Sequence, residues 1–492
     1  MIYWAMAKTY REWEPDQQFL LPPSPHDWLS RDHLAYFILD IVARLDLSDI
    51  ERVIQARDPR GGKPYHPRMM VALLLYSYSV GLVSSRKIER ATYENIAFRV
   101  LTGGQHPDHD TIADFRKTHL SSFKALFLQV AIICRELGLA KLGVVALDGT
   151  KIKASASKHK AMSYDRMRAE KARLEGEIAD LLKQAEEADS GDAALTAGSL
   201  PEELKRRQSR LDKIDEAMEA LEAAARKARR LKLREQAEGQ EAKAADDDVA
   251  PRERKSAATR AKTARAKADA LRDEDNGVGD DDDDDGGPRM PVHQPRHMAD
   301  GTPHDRAQRN FTDPESRIME HQGGFVQGYN CQALTDGEHG VIVGVGVSNH
   351  AADTHHLPPM VEGMVDTVGA PEKLLADAGY WAPCNAEICE KAEIDAYIAV
   401  GRETYQPAPS GSVLGPDASP RERMLDKVRT KAGRRIYALR KHVGETPFGL
   451  IKAVQGFRRF SMRGIAAADG EWSLVCTAHN ILKLWRHGPS IA

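Results

Sequence analysis

Two short apolar runs end in an aspartate followed at once by a small, turn-forming stretch: Val144-Val145-Ala146-Leu147-Asp148-Gly149 and Leu374-Leu375-Ala376-Asp377-Ala378-Gly379. Each reads as a buried strand that leaves its sheet through a carboxylate. In open α/β sheets, ligands collect at the carboxyl ends of strands. Taken singly, either aspartate is more often a turn former. On adjacent strand ends the pair offers hard oxygen ligands to Mg²⁺ and leaves coordination positions for water and substrate phosphates. A two-metal centre needs a third carboxylate. The candidate is Glu445, in Arg440-Lys441-His442-Val443-Gly444-Glu445-Thr446-Pro447. A glutamate among cations on a helix is ordinarily a surface ion-pair partner, so its assignment depends on the two aspartates.

These residues lie far apart in a chain of 492 residues, a length that calls for several domains. The net charge of -3 hides an uneven spread: +2 over residues 1–147, -15 over 148–420 and +10 over 421–492. Bulk charge alone therefore gives no sign of a nucleic-acid protein. Residues 1–140 read as helical, with Pro67 at a first turn, Ser84 or Ser85 and Asp108 or Asp110 as caps, and a Met69–Val83 segment for burial. Residues 141–160 begin an α/β core. Residues 161–272 read as a helical, coiled-coil hairpin, with Met167, Leu174 and Leu181 on one helix and Leu204, Leu211 and Met218 on the other, joined by a loop over 190–201. Residues 273–317, with the unbroken run Asp280–Asp285, read as an acidic disordered linker; no ligand-spaced loop supports calcium there. Strands and helices resume over 318–492, ending in basic helices.

The remaining composition mostly excludes. The five cysteines are scattered without a CxxC pair, which predicts reduced thiols and a cytoplasmic protein. No signal peptide is expected from the first residues, and the Met69–Val83 run is too short to span a membrane. His355-His356 and His479-Asn480 lack a third spaced ligand and read as structural.

The chain resembles the DDE transposases of bacterial insertion sequences, the branch in which a helical domain precedes an RNase-H-like core. The resemblance rests on Tyr65-His-Pro-Arg-Met-Met, Pro107-Asp-His-Asp-Thr-Ile-Ala-Asp-Phe-Arg, Ala146-Leu-Asp-Gly-Thr-Lys-Ile-Lys-Ala, Gly328-Tyr-Asn-Cys-Gln, Leu375-Ala-Asp-Ala-Gly-Tyr and Gly456-Phe-Arg-Arg-Phe-Ser-Met-Arg-Gly. It leaves out only the hairpin and the acidic linker. It implies an RNase-H-like (retroviral-integrase-like) mixed sheet with flanking helices, preceded by an all-α domain and interrupted by the helical insertion. Asp148, Asp377 and Glu445 become the three catalytic, metal-holding acids, and Tyr437, Arg440 and Lys452 fit the family's tyrosine–arginine–glutamate–lysine helix. One departure is local: the family has valine before the glutamate and proline after it, where this chain has Gly444 and Thr446. A helical glycine costs about 1 kcal/mol relative to alanine, which predicts a looser turn.

The same resemblance implies a DNA transposase that binds the terminal inverted repeats of its element and carries out cleavage and strand transfer with Mg²⁺ or Mn²⁺, two ions in all. Its partners are double-stranded DNA, both repeat and target, and a second copy in a homodimer. Lys151, Lys153, Arg440, Lys441 and Lys452 are expected to neutralise phosphates near the acids. Arg86, Lys87, Arg90, Arg116 and Lys117 of the N-terminal helices are expected to contact DNA. The alternatives are an RNase-H-like nuclease without strand transfer and a catalytically idle DNA-binding scaffold.

Overall fold

The computed structural model describes residues 24–56, 63–189, 200–271, 289–321, 323–401, 415 and 418–488. The amino-terminal part is built from α1 (Pro25–Trp28), α2 (Leu34–Arg44), α3 (Ser48–Gln55), α4 (Pro67–Ser79), α5 (Ser85–Glu94), α6 (Ile96–Thr102), α7 (His109–Thr118) and α8 (Leu120–Glu136). α4 starts with proline in its first turn, where no N–H is needed, and His66 caps it through its ring. It is buried on all faces from Met69 to Ser79. Asp108 caps α7 by accepting from the Thr111 N–H.

A sheet follows from β1 (Val144–Lys153), β4 (Arg317–His321), β5 (Gly324–Asp336), β6 (Ile342–Ser348), β7 (Lys373–Ala376) and β8 (Asp395–Ile398). Gly328–Asp336 of β5 pairs antiparallel with Val145–Lys153 of β1; β4 and β6 take different stretches of the other edge of β5. β7 joins β1 in parallel and β8 joins β7 in parallel, giving a mixed sheet. Helices α12 (Leu357–Thr367), α13 (Pro383–Lys391), α14 (Pro420–Arg429), α15 (Lys431–Arg440), α16 (Thr446–Ala453) and α17 (Ile465–His487) flank it. A π turn, Lys441–Glu445, joins α15 to α16.

α17 ties the parts together. Its Asn480 bonds both the N–H and the C=O of Ile342, and its Trp472 donates to the Gln332 carbonyl at 3.0 Å. Glu471 is wholly buried and accepts from the Tyr78 hydroxyl at 2.8 Å, the Ser461 N–H at 2.8 Å and the Ser461 hydroxyl at 2.6 Å. The N-terminal helices and the sheet accordingly share one continuous hydrophobic core.

The insertion departs from the expected two-helix hairpin. β2 (Ala161–Ser163) and β3 (Gln308–Asn310) form an antiparallel clip, and between them stand three helices: α9 (Tyr164–Asp189), α10 (Leu200–Ala245) and α11 (Pro251–Asp269). The Ala/Lys/Arg-rich stretch forms α11, with Ala257, Ala261 and Ala268 buried. Such small side chains let a helix lie close to its neighbour. Met167, Leu174, Leu211, Ile214 and Ala217 make a separate small core at the base.

The expected linker also divides. Residues 273–288, including Asp280–Asp285, and the loop residues 190–199 lie outside the described residues. From Arg289 onward the chain is folded on the sheet rather than disordered: the His293 N–H donates to Asn349 Oδ1 at 2.6 Å, and Met290 lies over Gly346. Residues 289–317 carry no net negative charge, so the argument from self-repulsion stops at the aspartate run.

Candidate active site

β1 and β7 set the two aspartates level. The parallel register pairs Val144 with Lys373, Val145 with Leu374 and Ala146 with Leu375. Two residues further along each chain come Asp148 and Asp377, the latter still extended at φ -80° and ψ 179°. Neighbouring strands lie about 4.8 Å apart, and equal offsets share a face. Each carboxylate has one bond from its own turn: Gly149 N–H to Asp148 Oδ1 and Gly379 N–H to Asp377 Oδ1, both 2.8 Å.

The third acid comes from the π turn. A π turn carries one residue more than an α turn and is often found at functional sites. Here it places Gly444 against β1: a Cβ at this position would lie 3.1 Å from the Asp148 Cβ and 3.6 Å from that of Ala146. The glycine is therefore a close-approach residue and not a loose point in the helix. Glu445 follows it, exposed, with Oε1 3.7 Å from the Arg440 guanidinium.

The electrostatics are unbalanced. Burial, opposed by the Gly149 N–H and reinforced by the charges of Asp377 and Glu445, raises the Asp148 carboxyl to about 6. Burial also works against Arg440, but Tyr437, Asp148, Asp377 and Glu445 outweigh it and raise its pKa. Burial lowers the Lys452 ammonium, which donates to the Thr150 hydroxyl on the Asp148 face of β1. The donor set suits a hard divalent cation such as Mg²⁺ or Mn²⁺: oxygen ligands only, with one carboxyl that burial, and then neighbouring negative charge, keeps from ionising easily. Among the described residues, no three His, Cys, Asp or Glu side chains gather closely enough to hold one ion together. Asp148 nevertheless feels both of the other acids.

The expected cations are dispersed. Lys441 is exposed on the π turn. Lys151 and Lys153 alternate with Asp148 along β1 and so point to its other face. There the Lys151 Nζ meets Asp353 Oδ1 at 3.2 Å. Arg86, Lys87, Arg90 and Lys117 are exposed on the N-terminal helices. Arg116 needs correction as a DNA contact. It is 5% exposed and donates to the Tyr78 hydroxyl, the Val83 carbonyl and Ser85 Oγ, so it holds helices together.

A polar network behind the aspartates escaped the sequence reading. Asp353 Oδ1 accepts from Asn330 Nδ2 at 2.7 Å and Gln332 Nε2 at 3.2 Å, and the Tyr380 hydroxyl donates to Gln332 Oε1. Asn385 Nδ2 bonds the carbonyls of Thr354 and Tyr380, each at 2.7 Å, fixing the turn that carries Asp377. Asn330 and Gln332 alternate within the buried stretch of β5, residues 327–336. Polar residues at i and i+2 in such a strand were the available signal.

A mixed α/β fold with helices before it and carboxylates at neighbouring strand ends defines the class. Two family models match: a Transposase domain (DUF772) over residues 23–118 and a Transposase DDE domain over residues 293–481. The chain belongs to the DDE transposases of insertion sequences. The family brings a nuclease/transposase activity, DNA as partner, divalent metals as the usual cofactor and an RNase-H-like core, with which the mixed sheet agrees. β1, with Asp148, and the insertion fall between the two matched stretches. No curated protein and no solved structure matches the chain significantly. Among the described residues no helix is long and apolar enough to cross a membrane.

Proposed function

We propose that this transposase binds the terminal inverted repeats of its element as a homodimer and catalyses strand cleavage and strand transfer at Asp148, Asp377 and Glu445. The observation that carries the reading is the shared register level of Asp148 and Asp377 on adjacent parallel strands, and the charge of Glu445, on the π turn, reaches Asp148. The three carboxylates would hold two Mg²⁺ or Mn²⁺ ions. When bound, such a pair activates the attacking water or DNA 3′-hydroxyl and stabilises the leaving oxygen. The chain's own part is positional. The Gly149 and Gly379 N–H groups orient the two aspartates. Arg440 offsets negative charge between Asp148 and Glu445, and Lys452, held at Thr150, offers a cation to a phosphate on that face.

The test incubates protein, Mg²⁺ and labelled duplex carrying the element's ends beside Asp148→Asn and Asp377→Asn. Cutting and joining should fall by about 10³-fold or more in both variants. Variants that cut and join like the parent would remove the site. Cutting without joining by the parent would leave a nuclease.

A further inference from the structure

The charge of the insertion is not spread evenly over its surface. A cleft of about 510 Å³ opens where α9 and α10 meet the clip, and Lys160, Arg166, Arg206, Arg210 and Lys213 line it above Met162 and Phe311. No carboxylate contributes to the lining. Arg206, Arg210 and Lys213 stand at i, i+4 and i+7 on α10, which makes them one stripe about 10 Å long. That length spans about three base-pair steps of duplex. Among the described residues only Arg210 of the five has an acidic partner within 4 Å, Glu170 at 2.7 Å, which Arg173 shares. The stripe stands out because residues 148–420 carry a net charge of -15.

The cleft is also joined to the carboxylates. β1 runs from Asp148 through Lys153, which bridges to exposed Arg459, and the Arg463 Nε reaches the Ser155 carbonyl at 3.4 Å. Exposed Lys158 and Lys160 follow on the same strand of chain. Exposed cations therefore succeed one another along the chain from the end of β1 to the insertion. The twelve residue steps from Asp148 to Lys160 span at most about 40 Å, or roughly twelve base pairs of duplex.

We infer that this cleft is a second DNA site: the insertion grips the phosphate backbone of duplex DNA within about one helical turn of the bond held at Asp148 and Asp377. The inference rests on the proposed reading that duplex DNA is the substrate. The cations contact phosphates and not base edges, so the grip is independent of sequence. It gives the insertion a role in holding DNA as it leaves the catalytic sheet.

The test measures binding of the full-length protein in chelator, where no cutting intervenes, to random-sequence duplexes of about 8 and about 30 base pairs. The parent should bind the longer duplex with the steeper salt dependence. Arg166→Ala/Arg206→Ala/Lys213→Ala should reduce the salt slope on the longer duplex by about 2 to 3 and weaken binding at least tenfold near 0.15 M salt. The far-UV circular dichroism and thermal melt of the variant should match those of the parent, which an unfolded variant would not reproduce. Equal slopes for parent and variant on the longer duplex overturn the inference, while cleavage by the parent would leave the active-site reading standing. A parent that binds neither duplex at low salt overturns both.

Discussion

Glu471 and Asp148 are both carboxylates beside the central strands, and their surroundings are opposite. Glu471 is wholly buried and receives three hydrogen bonds, with Arg116 linked to it through Tyr78. Asp148 is half-buried, has one bond from its own turn and two acidic neighbours, and its carboxyl rises to about 6. A buried charge stabilises a fold only when its partners are complete. The first carboxylate is finished by the protein; the second is left for something the protein must bind.

Three changes put that contrast at risk, in falling order of effect. Glu471→Ala removes the acceptor for Tyr78 and Ser461 and leaves buried Arg116 without its anion. It should cost about 3–5 kcal/mol in denaturant melts; a loss under 1 kcal/mol would make Glu471 no different from a surface acid.

Asp148→Asn should act in the opposite direction. A carboxyl that titrates near 6 in the folded protein and near 3.8 when exposed binds its proton more tightly in the folded state. Its contribution to stability is therefore best below about pH 4, declines between about 4 and 6, and stays low above. In chelator at pH 7.5 the asparagine variant should be more stable than the parent by about 1–2 kcal/mol, allowing for partial exposure. At pH 4 or below the gain should vanish. Equal melts at pH 7.5 would mean that ionised Asp148 bears no cost from its burial and its acidic neighbours.

Gly444→Ala is the mildest. The added Cβ presses on Asp148 at 3.1 Å, so either the strand or the π turn must yield by a few tenths of an ångström. Stability should change by about 1 kcal/mol or less, while cleavage falls roughly tenfold through misplacement of the acids. Unchanged cleavage would show that the spacing of turn and strand is not critical.

What could be read from the sequence follows from the range of the interactions involved. Asp148 and Asp377 stood out because an apolar run ending in an aspartate is a local pattern; their common level is set by strand pairing across the insertion, which no local pattern encodes. Strand spacing puts Lys151 and Lys153 together on one face, but the same alternation makes it the face opposite Asp148. Arg116 looked like its exposed neighbours because charge on a helix does not say which way the helix faces. Gly444 marked the unusual turn, but a close approach to β1 and a flexible point leave the same residue in the sequence. The hairpin was read from heptads, and α11 has alanine where those have leucine.

The clip of β2 and β3 has a consequence for the order in which the molecule is made. β1 leaves the ribosome before every strand that it pairs with, and its apolar run must wait while the insertion is synthesised. An unpaired edge of this kind invites misassembly with other chains. Closing so long a loop costs only on the order of 2 kcal/mol more than a ten-residue turn, because the penalty grows with the logarithm of length. Helices also form from local contacts faster than sheets do. A bundle that folds early and draws Ser163 to Gln308 shortens the search of β1 for its partner, and a newborn chain would spend less time with its first strand unmatched.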